Sequence, residues 1–335
     1  MEGRTTVIAF DDYRSPPIPI DNGLDQGCNL SMFLYRYYNS GQIRASEGRK
    51  GELATNYADD AICAAAGRDL EEAGWRLEEM FHREDGPRDW ANTHFSCYEY
   101  HKFACLAMTR RLVADKNRPG KMRKQKPVEI VLKGKPIKSV ESHKFLGVIM
   151  DGELCFKKHA TYALEKGTKL VNQIRWLTKN AGGMAGRLAR RMYYSSVAPS
   201  MLYAADVWCP PAGRNMERRF RGMSGAIAKM ASVQRKVAIQ TTGALRTTLN
   251  DLLLVHADML PIEQQIEKIC LASALRMASL PKPHPLQKDA ARAAAIKCQQ
   301  RHPALINILM NMSKTIKSGV ESIEVTKKDR NGNHQ

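Results

Sequence analysis

From residue 156 onward, apolar or small residues recur at alternating steps of three and four (Ala160, Ala163, Gly167, Leu170, Ile174, Leu177), a spacing that lays one apolar stripe along an α-helix. Two more helical stretches follow. The first covers 187–207 and is interrupted by Pro199, where a kink or split is expected; the second covers 217–242, with Met223, Ile227, Met230 and Val237 as its core stripe. Before residue 156 the pattern is short extended runs broken by Gly, Pro and Asp. The chain thus predicts an α+β part over 1–151, antiparallel strands with helices, then an all-α part over 152–311 and a polar, disordered tail over 312–335.

Within the first part, residues 5–10, 18–20 and 52–57 read as strands, with a turn at Ser15-Pro16-Pro17. Residues 30–38 suit a short buried helix opening at an Asn29 cap, and 68–83 a second helix with Leu70, Ala73, Leu77 and Met80 on one face. Residues 115–126 form a basic loop. Residues 128–132 and 145–150 read as strands joined through Gly134-Lys135-Pro136. Further on, Thr247 and Thr248 are candidate caps for a short helix ending near Met259, and Pro261 opens the next one. Core packing is the expectation for Trp75, Trp90, Trp176 and Trp208.

The formal charge of +18 is unevenly spread. Residues 157–240 carry 16 Lys and Arg against three acids, whereas residues 1–60 carry six basic and nine acidic groups. Phosphates are gripped by Lys and Arg and divalent metals by carboxylates, so this asymmetry fits an acidic metal-holding segment followed by a backbone-gripping one. On the first long helix, Lys158, Lys166 and Lys169 fall with Tyr162 on a face separate from the apolar stripe. No run approaches the roughly 20 apolar residues of a bilayer span, and the eight cysteines show no metal-ligand spacing, which points to reduced thiols and no membrane partner.

Around Tyr57-Ala58-Asp59-Asp60, two apolar arms place both carboxylates at the tip of a hairpin. On its own an Asp-Asp pair is the mark of a turn. Here it follows Gly23-Leu24-Asp25-Gln26-Gly27, and precedes Lys102-Phe103-Ala104 and Phe145-Leu146-Gly147-Val148. These four segments, in this order, resemble the palm of reverse transcriptases of the non-LTR (LINE) retrotransposon class. Leu202-Tyr203-Ala204-Ala205-Asp206, Thr242-Gly243-Ala244-Leu245-Arg246-Thr247-Thr248 and Leu280-Pro281 resemble the region after the palm in fungal Tad-like elements.

The resemblance implies a partial palm followed by a thumb-like helical region, acting as an RNA-directed DNA polymerase on an RNA template and DNA primer with Mg²⁺ or Mn²⁺. It makes Asp59 and Asp60 the metal-binding pair. Gln26 and Gly27 would border the templating base and nucleotide, Tyr57 would lie near the primer end, and Lys102 would help neutralise the leaving pyrophosphate. Lys158, Lys166, Lys169, Arg190, Arg191, Arg235 and Lys236 are candidates for contact with the nucleic-acid backbone. In the family a further catalytic aspartate and the fingers stand upstream of the Gly-x-x-Gln-Gly segment. The expectation is therefore an N-terminally truncated polymerase, inactive alone, with a separately encoded upstream half as a partner; Asp11 and Asp12 are assigned to a turn. The alternative is a non-catalytic nucleic-acid-binding module. Nucleus is the expected location for such an element.

Overall fold

A computed structural model of the chain describes residues 4–20, 23–24, 27–46, 51–115, 118, 120–125, 128–178, 183–209, 221–281, 284 and 286–287. The chain divides into two units, Met1–Glu141 and Ser142–Gln335. The division falls ten residues before the 151/152 boundary expected from the change of periodicity, because the hairpin at 142–151 packs on the helices that follow it. Its Val148 is buried in their core, and the Ile149 N–H donates to His159 Nδ1 at 3.1 Å.

In the first unit, β1 (Arg4–Thr6) pairs with β4 (Ile18–Ile20), and β2 (Ala9–Phe10) pairs with β3 (Tyr13–Arg14). The turn between β2 and β3 is Asp11-Asp12, with Asp11 at φ 48°. Helix α1 (Asn29–Asn39) follows. Two expectations for it are corrected. Cys28, not Asn29, is its N-cap residue and makes no side-chain cap bond. The helix is also not buried: Leu30, Met32, Phe33 and Tyr37 are exposed, because its apolar residues occur in an almost continuous run rather than on one face.

A 3₁₀ turn (Ser40–Ser46) leads to the hairpin of β5 (Glu52–Tyr57) and β6 (Asp60–Ala65). Helix α2 (Leu70–His82) opens at Asp69, whose carboxylate accepts the Glu72 N–H at 2.8 Å. A short helix α3 (Pro87–Thr93), started by a proline whose missing N–H costs nothing there, was not legible beforehand. The basic loop folds as a hairpin, β7 (Leu112–Ala114) on β8 (Met122–Lys124). Strands β9 (Ile130–Leu132) and β10 (Lys135–Ile137) meet at Lys133-Gly134, both left-handed, as two-residue hairpin turns require. All ladders among the described residues are two-stranded and antiparallel. One small core gathers Phe81, Ile130, Leu132 and Ile137, and another Ala45, Ala54 and Met80.

The second unit begins with β11 (Ser142–Phe145) and β12 (Val148–Asp151). Residues 145–150 are thus not one strand: Leu146 and Gly147 both take positive φ and reverse the chain. The Asp151 carboxylate accepts the N–H groups of Glu153, Cys155 and Phe156, tying the hairpin to the start of α4 (Lys157–Leu177). Helix α5 (Gly186–Met192) widens into a π turn (Tyr193–Val197) before α6 (Ala198–Met201). Pro199 lacks the N–H that would bond residue 195, and the helical stretch is divided there, the π turn preceding the short α6 that holds the proline.

After α7 (Ala205–Trp208) come α8 (Arg221–Thr242), α9 (Asn250–His256) and α10 (Ile262–Ala278). Leu249, not Thr247 or Thr248, is the α9 N-cap residue. Met223, Ile227, Met230 and Val237 are buried as their spacing predicts, alongside Tyr193, Met201, Trp208, Ile262 and Ile266. Trp90 and Trp208 are core residues, whereas Trp75 and Trp176 are exposed; both sit on the solvent side of amphipathic helices, where the buried face is already filled. Among the described residues no helix is long and apolar enough to cross a membrane, and the described cysteines are thiols. The expected tail at 312–335 lies outside the described residues.

Candidate functional site

The β5–β6 register pairs Tyr57 with Asp60, leaving Ala58 and Asp59 as a two-residue loop. Both aspartates are exposed, Asp59 in the loop and Asp60 as the first residue of β6. Alternation along β5 sends Ala54 into the core against Ala45 and Met80. It leaves Leu53 and Tyr57 exposed on the other side, so Tyr57 and Asp60 share the open face of the hairpin.

Ala58 stands at φ 52°, a left-handed conformation that costs a non-glycine residue about 1–2 kcal/mol. A chain of buried amides holds it there. The Asn39 side chain donates to the Ala58 carbonyl at 2.7 Å, and Gln42 donates to Asn39 Oδ1 at 3.2 Å. Tyr98 donates to Gln42 Oε1 at 3.1 Å, while Asn56 donates to the Asn39 carbonyl at 3.2 Å. None of these four residues was singled out by the sequence. The one signal available was Asn39 closing an aromatic helix, and its partner lies 19 residues away.

At the other end of the hairpin, Arg83 and Glu52 form an ion pair at 2.5 Å whose side chains are only 10% and 8% exposed, and Arg83 also donates to the Ala45 carbonyl. Burial pushes the Cys63 thiol up to about 11, slightly offset by Arg83, so this neighbour of the pair is a protonated thiol at neutral pH.

Two exposed carboxylates at adjacent positions are hard oxygen donors of the kind Mg²⁺ takes, and Mg²⁺ commonly completes its shell with water and substrate phosphates. By donor chemistry alone the two carboxylates are of the type such an ion takes. Among the described residues no group of three or more His, Cys, Asp or Glu is gathered to hold a metal. Gly27 takes φ +90° just before α1, a conformation that favours glycine, while Gln26 lies outside the described residues. Lys102 ends a 3₁₀ turn (Tyr100–Lys102) and binds Glu99 at 2.6 Å, which holds the Glu99 carboxyl below its ordinary range.

In the second unit the basic candidates divide into two sets. Lys158, Lys166, Lys169, Arg191 and Lys236 are exposed. Arg190 is instead committed to the fold, bonded to the Asp258 carboxylate and, at 2.7 Å, to the Asp258 carbonyl, with its guanidinium over the Tyr194 ring. Arg235 is committed likewise: it donates to the carbonyls of Arg246 at 2.8 Å and Thr248 at 2.6 Å and to Asn250 Oδ1 at 3.3 Å, bracing the turn into α9. Both guanidiniums thus already have partners within the fold. A residue absent from the sequence-based set joins the exposed ones. Lys144 of β11 donates to Tyr162 Oη at 3.2 Å, and both it and Lys166 lie 5.0 Å from the Tyr162 ring centroid. Hydrogen bonds from Lys144 and then Lys166 lower the Tyr162 phenol below its ordinary range.

In sequence, the relatives of this chain are RNA-directed DNA polymerases of non-LTR retrotransposons. The RNA-directed DNA polymerase from mobile element jockey of Drosophila melanogaster is 24% identical over 212 residues, 62% of this chain and 22% of its own length. The probable RNA-directed DNA polymerase from transposon X-element of the same fly is 23% identical over 246 residues, 72% of this chain and 24% of its own. A Pol polyprotein from a type-1 retrotransposable element R1 of Nasonia vitripennis is 27% identical over 135 residues, 40% of this chain and 32% of its own. The chain thus spans less than a quarter of the fly relatives it matches. No family model and no solved structure matches it.

Proposed function

We propose that this chain contributes the Asp-Asp hairpin of a retrotransposon RNA-directed DNA polymerase, with Asp59 and Asp60 as metal ligands and the second unit as a nucleic-acid-binding region. The observation that carries the reading is the hairpin itself: two carboxylates at an exposed tip whose loop is locked from below by Asn39. A divalent cation there would activate a primer hydroxyl and offset triphosphate charge. In this reading the first unit is palm-like and the second thumb-like, the template is RNA and the primer DNA. The proposed resemblance to fungal Tad-like elements rests on the segments at 202–206, 242–248 and 280–281.

The side chains present do unequal work. Asp59 and Asp60 would hold the ion; Tyr57, on the same open face as Asp60, would offer a flat exposed ring to the primer end. Gly27 leaves space for a close backbone approach, since a Cβ there would meet nothing within 4 Å. Lys102 would have to exchange Glu99 for pyrophosphate, an exposed pairing that costs little to break.

Among the described residues no third carboxylate is gathered with Asp59 and Asp60, and in this reading the chain by itself is expected to bind Mn²⁺ without extending a primer. Mn²⁺ binding followed by electron paramagnetic resonance, together with primer extension on an RNA template, tests this in wild type and Asp59→Asn/Asp60→Asn. Binding that is lost in the double variant supports the assignment. Undiminished Mn²⁺ binding in that variant sinks it, and extension by the wild-type chain overturns the expected inactivity.

A second reading, a nucleic-acid-binding module without catalysis, is favoured by the concentration of charge in residues 157–240. It predicts salt-dependent binding that survives the same double substitution.

A further inference from the structure

The exposed face of α4 carries an ordered series of side chains that a general basic surface does not require. At 100° per residue, Lys158, Lys166, Lys169, Gln173 and Trp176 all lie within about 40° of Tyr162 around the helix axis. The buried residues Ala160, Ala163, Gly167, Val171 and Ile174 lie on the opposite side, and buried His159 flanks the stripe about 60° from Tyr162. Glu165 stands beside the stripe, about 60° from Tyr162. Lys144 joins from β11, and Lys158 donates to Ser142 at 3.2 Å, so the hairpin β11–β12 forms one flank of the same surface.

Two properties of this stripe point to its ligand. Lys144 and Lys166 both sit 5.0 Å from one ring centroid, which keeps two ammonium groups within about a Debye length of each other at 0.1 M salt. A bound phosphate relieves that repulsion. Trp176, further along the stripe, is 70% exposed, an indole face of the kind on which an unstacked base settles. Bases inside a duplex cannot reach such a face; bases of a single strand can. From Lys158 to Trp176 the stripe runs roughly 27 Å at 1.5 Å per residue, the rise of about eight stacked nucleotides at 3.4 Å each.

We infer that α4 and the β11–β12 hairpin form a track for single-stranded nucleic acid, in which Lys144, Lys158, Lys166 and Lys169 hold backbone phosphates and Trp176 stacks a base. Tyr162 serves as the post that positions Lys144 and Lys166. This deepens the nucleic-acid-binding reading of the second unit and is independent of the Asp59–Asp60 assignment.

The test is a fluorescence titration of the full chain with thymidine and uridine 12-mers and with a 12-base-pair duplex at several salt concentrations. The Trp176 signal is taken as the difference between wild type and Trp176→Phe. Quenching of that signal by a single strand is expected, with the tighter of the two 12-mers naming the strand. Trp176→Ala should weaken single-strand binding about tenfold while Trp176→Phe largely retains it. Lys144→Gln/Lys166→Gln should flatten the salt dependence by about 1.4 in slope, two contacts at about 0.7 each. Mn²⁺ binding by the wild-type chain and by Trp176→Ala, followed separately, distinguishes failure here from failure of the metal assignment. Duplex binding as tight as single-strand binding, or wild-type affinity in Trp176→Ala with unchanged circular dichroism, overturns the track.

Discussion

Asn39, the last residue of α1, donates its side-chain amide to the carbonyl of Ala58 at 2.7 Å, and so fastens the loop that carries Asp59 to a helix 19 residues upstream. The bond is nearly buried, Asn39 being 7% exposed, and the residue it restrains is in a left-handed conformation. Position and strain are thus settled by one side chain.

Removing it should be costly. Asn39→Ala leaves the Ala58 carbonyl and the Gln42 amide without this partner, and a loss of about 1–3 kcal/mol is expected from the desolvated groups left unpaired. Urea unfolding of the two proteins measures it, and hydrogen exchange at residues 58–60 should accelerate selectively.

The Arg83–Glu52 pair anchors the opposite end of the hairpin. Because both side chains are buried, Glu52→Leu or Arg83→Met alone should destabilise by about 3–5 kcal/mol, the cost of stranding one buried charge. The double variant Glu52→Leu/Arg83→Met should lose less than either single one. A denaturant double-mutant cycle decides; additive losses would show that the pair is not coupled.

Two glycines in the second unit should respond in opposite directions. A Cβ on Gly186 would fall 1.9 Å from the Thr241 carbonyl oxygen, so Gly186→Ala forces α5 away from α8 and should cost about 1–3 kcal/mol. Gly225, exposed on α8 with nothing within 4 Å of its Cβ position, should gain about 0.5–1 kcal/mol as alanine from reduced unfolded-state freedom. Thermal melts of the two variants give the comparison.

His159 makes stability depend on pH. Burial, then the nearby Lys166 and Lys144, lower its folded-state value below the ordinary 6.5, so the neutral ring is the stable form in the core. Its contribution is complete above about 6.5 and is lost as pH falls through the lowered folded value, because the unfolded chain takes up the proton first. Melting temperature against pH should therefore fall below that point, and His159→Gln should flatten the profile. An unchanged slope in the variant rejects the assignment.

Much of this was legible in the sequence where the determinants are local. The Asp59–Asp60 tip follows from two apolar arms around a short polar turn, and the stripe Met223, Ile227, Met230, Val237 follows from helical periodicity; both come from neighbours within a few residues. Legibility failed where burial depends on what else is present. Residues 30–38 form the expected helix, but the expected burial does not follow, and Trp176 lies beside an apolar stripe that is already filled.

Local pattern by itself determined the two parts of this chain, helical and mixed, the carboxylates at a hairpin tip and the concentration of charge after residue 156. Only the tertiary structure decided which charges are available. Arg190 is consumed by Asp258, 68 residues away, and Arg235 by the turn into α9, while Lys144 is carried by the hairpin to Tyr162. Whether a guanidinium meets a carbonyl or solvent depends on chain segments far apart in sequence, and their meeting is fixed by the packing of the whole core rather than by any local spacing.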